Sequence, residues 1–221
     1  MAIYATYLTN SYGYKLIKIK NPQEKKAIRL DYSKTLLKKL KLNIKVINKE
    51  KIPKDGQFLL VSNHRSVIDP LIIEMALQDT TIFGHWISKK ELYNSFFFSL
   101  FVRNAGAILL DREKSNMSSF FSDIKQCTKK GDSIFIFPEG TRNKSENNLG
   151  DFKDGSRIIA VKNRLNILPF FIRSNANKQL MDSLEDGQNE RTIEIEVGDI
   201  IEYKDKSKTL EEAYKAQFNL N

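Results

Sequence analysis

Cysteine is almost missing from this chain: Cys127 is the only one in 221 residues. A disulfide framework and a thiolate-based zinc site are therefore excluded. Proline (5) and glycine (10) are scarce, which excludes collagen-like and low-complexity architectures. No apolar run approaches the ~18 residues that a spanning helix needs. Residues 1–14 contain neither a charged side chain nor a long apolar stretch, so no secretory signal is expected there and a reducing, cytoplasmic setting follows. Histidine is limited to His64 and His85, which narrows the choice of a general base.

What is present is unevenly distributed. The formal net charge is +9, yet residues 15–54 hold 14 Lys and Arg against Glu24, Asp31 and Glu50, a net of +11 that leaves −2 for the rest of the chain. A basic segment beside a near-neutral body suggests a local contact with an anionic surface, membrane or nucleic acid; a solvated helix face that only aids solubility is the plainer alternative. An RNA-binding module should interleave stacking aromatics and glycine with its basic residues. This segment has Tyr32 and no glycine, so no nucleic-acid partner is expected.

Hydrophobic periodicity divides the chain into alternating elements. Pro22–Leu42 reads as an amphipathic helix, with Ile28, Tyr32, Leu36 and Leu40 on one stripe, Ala27 and Leu37 beside them, and Lys25, Lys26, Arg29, Lys34, Lys38, Lys39 and Lys41 on other faces. Strands are expected at 43–49, 58–61, 81–87, 106–110, 133–137, 167–172 and 192–203, with helices at 70–77, 89–103, 115–130, 156–163 and 210–218. Within 89–103, Phe96, Phe97, Phe98, Leu100 and Phe101 read as a core helix before an insertion point. The pattern predicts an α/β fold with a mixed, mostly buried sheet flanked by helices. Residues 1–45 are expected to form a membrane-associating segment and residues 46–221 the catalytic domain.

His64 follows a buried strand, where α/β folds place their sites, and Asp69 lies five residues on at the start of a helix. A loop between them lets the carboxylate hold one imidazole nitrogen and leave the other as a general base. Asp69 as a simple helix N-cap before Pro70 is equally compatible with the spacing. Glu139, Gly140, Thr141 and Arg142 follow a second buried strand, and Arg112 and Lys89 sit at the ends of others. Cations so placed suit phosphate, and each taken singly reads as a surface ion pair. Gly150–Arg157 only outlines a P-loop, since Ser156 stands where the lysine belongs. Cys127 lies within an expected helix with no histidine near it in sequence and reads as core.

In order, NHRSVID (63–69), SKKEL (88–92), GAILLDR (106–112), FPEGTR (137–142), FKDG (152–155) and ILPFFI (167–172) resemble the glycerolipid acyltransferase family, and within it the 1-acylglycerol-3-phosphate (lysophosphatidate) acyltransferases. The resemblance implies His64 as general base oriented by Asp69. The base would deprotonate a glycerol hydroxyl that attacks an acyl thioester directly, with no acyl-enzyme, metal or cofactor. It also implies that Lys89, Arg112 and Arg142 hold the substrate phosphate and that Glu139, Gly140 and Thr141 shape the acceptor site.

Departures from the family pattern are Arg65 where Gln is common, Asn143 where Ser is frequent, and one proline in 167–172 where two are usual. The implied partners are a lysophospholipid acceptor, acyl-CoA or acyl carrier protein as donor, and an anionic membrane surface. Attachment is expected to be peripheral, on the cytoplasmic face of the cytoplasmic membrane. Glycerol-3-phosphate and lyso-ornithine lipid remain open as acceptors, and a non-enzymatic basic adaptor is the alternative of a different class.

Overall fold

The run Phe58–Val61 forms the middle of the structure. The computed structural model describes residues 1–111 and 117–220. Its elements are α1 (Ala2–Leu16), α2 (Pro22–Lys39), β1 (Leu42–Ile47), β2 (Phe58–Ser62), α3 (Asp69–Ala76), β3 (Gly84–Lys89), α4 (Lys90–Tyr93), α5 (Ser99–Asn104), β4 (Ile108–Leu110), α6 (Ser118–Lys129), β5 (Ser133–Ile136), α7 (Gly155–Asn163), β6 (Asn166–Ile172), α8 (Ala176–Glu185), β7 (Arg191–Val197) and α9 (Leu210–Phe218). Among the described residues the strands form one seven-stranded sheet in the order β1-β7-β6-β2-β5-β3-β4. All neighbours pair in parallel except β6 and β7, so the sheet is mixed, as expected.

Leu59, Leu60 and Val61 are wholly buried because β2 is covered on both faces. Leu60 joins a core with Tyr32, Leu36 and Leu37 of α2 and Ile72 and Ile73 of α3. Leu59 and Val61 face the other core, built on Ile124 of α6, Ile159 and Ala160 of α7, and Tyr214 and Phe218 of α9. Strand β7 alternates instead: Ile193, Ile195 and Val197 are buried and Thr192 is exposed.

Several boundaries differ from the sequence expectation. The helix expected over 89–103 is broken into α4 and α5, and Phe96 in the break is 92% exposed, with Phe97 and Phe98 also exposed. The core-helix reading of that run is corrected for Phe96–Phe98: Leu100 and Phe101 are part-buried, and the Phe101 ring centroid is 4.5 Å from that of Tyr32. Successive side chains on a helix diverge by about 100°, so three adjacent phenylalanines cannot all face one core. Helices α1 and α8 are additions that the sequence pattern left unassigned. Helix α1 lies so close to α5 that a Cβ on Gly13 would stand 2.9 Å from the Phe101 nitrogen.

The basic helix also departs from its expected polarity. Asn21 caps α2 by accepting from Gln23 and Glu24, with Pro22 in the first turn, but Ala27 is exposed while Lys26 and Arg29 are buried. Lys26 donates to the Leu77 carbonyl at 3.0 Å, occupying the C-terminal end of α3. Burial lowers its pKa to about 8. Arg29 pairs with Glu74 of α3 and donates to the Gly84 carbonyl at 2.7 Å. Helix α2 is therefore built into the same core as the sheet. Among the described residues no helix is long and apolar enough to cross a membrane.

Candidate active site

The C-terminal ends of β2, β5, β3 and β4 lie side by side. They deliver, in that order, His64, the Phe137–Arg142 loop, Lys89 and Asp111. Val61 of β2 is in register with Ile136 of β5, so the third residue beyond each, His64 and Glu139, arrive together. This is the edge where open α/β sheets place their ligands.

His64 Nδ1 lies 2.8 Å from Oδ2 of Asp69, whose side chain is fully buried. The same carboxylate oxygen accepts the backbone N–H groups of Arg65 and Ser66, each at 2.7 Å. A carboxylate acceptor assigns the imidazole proton to Nδ1 and leaves the Nε2 lone pair available. Asp69 makes no side-chain cap bond to its own helix, so the N-cap alternative does not describe it. The His64 ring stacks on Phe137, with centroids 4.0 Å apart and planes inclined by 9°.

Glu139 is buried, and both its oxygens are occupied: Oε1 accepts from His64 N–H at 2.6 Å and Oε2 from Gly150 N–H at 2.8 Å. Burial pushes its pKa up to about 7; the two amide bonds oppose this, and the charge of Asp69 adds to it. Glu139 thus ties the His64 loop to the Gly150 loop. Gly140 has φ +69°, which explains glycine there. Asn143 N–H donates to the His64 carbonyl at 2.6 Å, and Arg65 Nη2 to the Ser145 carbonyl at 3.0 Å. The two family departures, Arg65 and Asn143, therefore both fasten the 140–145 loop.

Thr141, Arg142 and Lys89 are exposed, and neither cation has an ion-pair partner among the described residues. Arg112 lies outside the described residues; the neighbouring Asp111 is 3.5 Å from Lys90. Among the described residues no cluster of three or more His, Cys, Asp or Glu side chains could hold a metal ion.

Sequence reasoning passed over three supports of this site. Asn63 uses its amide to donate to and accept from Ile172 of β6, at 3.1 and 2.8 Å. The Tyr214 hydroxyl accepts from Asn63 N–H at 3.2 Å and donates to the Phe170 carbonyl. Trp86 stacks on Phe137. The strand-end position of Asn63 was the available signal for the first; Tyr214 and Trp86 carry none without the fold. Cys127, remote from histidine in sequence, lies close enough to His85 to help raise its pKa.

A model of the Acyltransferase family matches residues 43–173. Over 131 residues the chain is 38% identical to a 1-acyl-sn-glycerol-3-phosphate acyltransferase of Helicobacter pylori, covering 57% of this chain and 53% of that protein. Over 130 residues it is 31% identical to the Bacillus subtilis protein of the same name, covering 59% and 62%. The matched region thus spans little more than half the length of these two relatives. The crystal structure of the 1-acyl-sn-glycerophosphate acyltransferase of Thermotoga maritima superposes with a TM-score of 0.65 over 99% of this chain and 94% of that one, at 21% identity.

Proposed function

The chain belongs to the Acyltransferase family, and we propose that it transfers a fatty acyl group from an acyl thioester to the free hydroxyl of lysophosphatidate, giving phosphatidate. The observation that carries this reading is the imidazole of His64, held through Nδ1 by buried Asp69 with Nε2 free of the pair. Nε2 takes the hydroxyl proton as the oxygen attacks the thioester carbonyl. The tetrahedral adduct expels the thiolate, which recovers that proton from the imidazolium. A new C–O ester bond replaces the C–S bond, and the base is regenerated. Such a group contributes ~10²–10⁴ in rate.

Lys89 and Arg142 are the exposed cations that would hold the acceptor phosphate, and Arg112 is assigned the same task by its place in the motif. The donor is coenzyme A or acyl carrier protein thioester. The test is an acceptor panel with a radiolabelled donor: lysophosphatidate, glycerol-3-phosphate and lyso-ornithine lipid. Strong preference for lysophosphatidate is expected; preference for either of the others would reassign the acceptor while keeping the chemistry.

The lipid product implies a membrane surface, and peripheral docking on the cytoplasmic face is part of the proposal. Ile3, Tyr7, Tyr14 and Ile17 of the α1 region are exposed apolar side chains, as are Phe96 to Phe98 in the turn before α5, which Asn10 of α1 holds through the Phe97 carbonyl. Exposed Lys15, Lys18 and Lys20 lie beside them. Aromatic rings favour the headgroup region, and each nearby cation adds ~1 kcal/mol at an anionic leaflet.

A further inference from the structure

Asp69 fixes one nitrogen of His64, but a single hydrogen bond leaves the ring free to turn about it. The plane of the ring is set by its face contact with Phe137. Phe137 is itself stacked on Trp86, with centroids 4.9 Å apart and planes inclined by 23°. Two rings cannot share one face of a phenyl group at those separations, so Phe137 lies between the base and the indole.

Trp86 is fixed in turn. Its Nε1–H donates to Glu74 Oε1 at 3.0 Å, and its ring meets Phe135 edge-on at 5.2 Å. Glu74 is only 5% exposed, and a buried carboxylate needs a partner. Arg29 of α2 supplies it and also holds β3 at Gly84, two residues before Trp86. The contacts run without a gap from Arg29 through Glu74, Trp86 and Phe137 to His64. Arg29 lies outside residues 43–173, the stretch that matches the family.

We infer that Trp86 is a positioning residue for the reaction: backed by the Arg29–Glu74 pair, it holds Phe137 against His64 and so keeps Nε2 aimed at the acceptor hydroxyl. A base displaced by about 1 Å can lose ~10²-fold in rate, so a support that limits ring tilt is worth a sizeable part of that. Loss of aim lowers kcat without weakening acceptor binding, because Lys89 and Arg142 are exposed and take no part in the Trp86–Phe137–His64 stack. The inference rests on His64 being the base.

The test uses the full chain with the acceptor that the wild type prefers, in a short-chain soluble form, so that membrane binding does not enter. Trp86→Leu should lower kcat about tenfold and leave the acceptor KM within about twofold. Trp86→Phe, which keeps a ring behind Phe137, should restore kcat to within about threefold of wild type. If Trp86→Leu does not fold, Phe137→Leu carries the same expectation. Trp86→Leu with kcat within twofold of wild type, or Trp86→Leu and Trp86→Phe reduced alike, would overturn the inference. His64→Ala measured alongside separates the two claims: an active His64→Ala removes the base, whereas an inactive one beside a fully active Trp86→Leu removes only the stack.

Discussion

The backbone N–H of His64 donates to Oε1 of Glu139 at 2.6 Å across 75 residues of sequence. Parallel pairing of β2 with β5, Val61 opposite Ile136, is what brings them together. The second oxygen of Glu139 holds Gly150, and a Cβ there would stand 2.7 Å from it. One buried carboxylate thus joins the His64 loop to the loop that follows Arg142.

Glu139→Gln should test that closure. The amide offers one acceptor where two N–H groups need one each, and turns an NH₂ donor on the other. A buried donor left unsatisfied costs ~1–3 kcal/mol. Chemical denaturation should show destabilisation of that order, accompanied by a fall in kcat. A variant with wild-type stability and rate would separate Glu139 from the base loop.

His64→Ala should abolish acyl transfer, by ~10²-fold or more, with thermal stability close to wild type. Asp69→Asn should also be severely impaired, because the amide no longer prefers the protonated Nδ1. Residual activity above about a tenth in His64→Ala excludes it as the base.

Lys89→Ala and Arg142→Ala should lower kcat/KM for a phosphate-bearing acceptor, while the dependence on acyl-donor concentration changes little. Steady-state kinetics with both substrates varied distinguish the two. Unchanged values for both variants would remove these cations from the site.

Membrane docking is best tested by point changes. Deleting residues 1–42 would strip Leu36 and Leu37 from the core and leave Glu74 without Arg29, so loss of binding would be confounded with unfolding. Replacing Phe96, Phe97 and Phe98 together by Ser should release most protein from anionic vesicles in co-sedimentation at moderate salt, with the melting temperature preserved. Binding that persists, or that ignores lipid charge and salt, would place the contact elsewhere.

His85 predicts a pH dependence. Its Nδ1 faces the Gly106 carbonyl at 2.6 Å and its Nε2 the Asp132 carboxylate at 3.0 Å, two acceptors that suit a doubly protonated ring. Burial disfavours the charge, but Asp132, Cys127 and Gly106 outweigh it and push the pKa from 6.5 to about 9. A pKa raised by folding gives stability that is complete below about pH 6.5 and is lost as the pH rises toward 9. The melting temperature should therefore decline across that window in the wild type and decline less in His85→Gln. Equal slopes in the two proteins would remove His85 as the cause.

Local pattern located most strands and placed His64 and Asp69 within reach of each other at a strand end, because a doubly covered strand must be continuously apolar and because strand ends carry the sites of such sheets; their proposed role came from the ordered family motifs. Leu59, Leu60 and Val61, the His64–Asp69 spacing and the Phe137–Arg142 loop are of this kind, since each depends on neighbours in sequence. Partners distant in the chain had no such mark. Lys26 and Arg29 look like solvent-facing charges until the end of α3 and Glu74 are packed against them. Phe96 looks like core until the chain breaks between α4 and α5 and leaves it 92% exposed. Cys127 has no histidine near it in sequence, and only the fold sets His85 of β3 beside it. Residue type and spacing put an imidazole and a carboxylate within reach of each other. What surrounds the imidazole was decided by tertiary structure, since only strand register and ring stacking bring Glu139, Phe137 and Trp86 around His64.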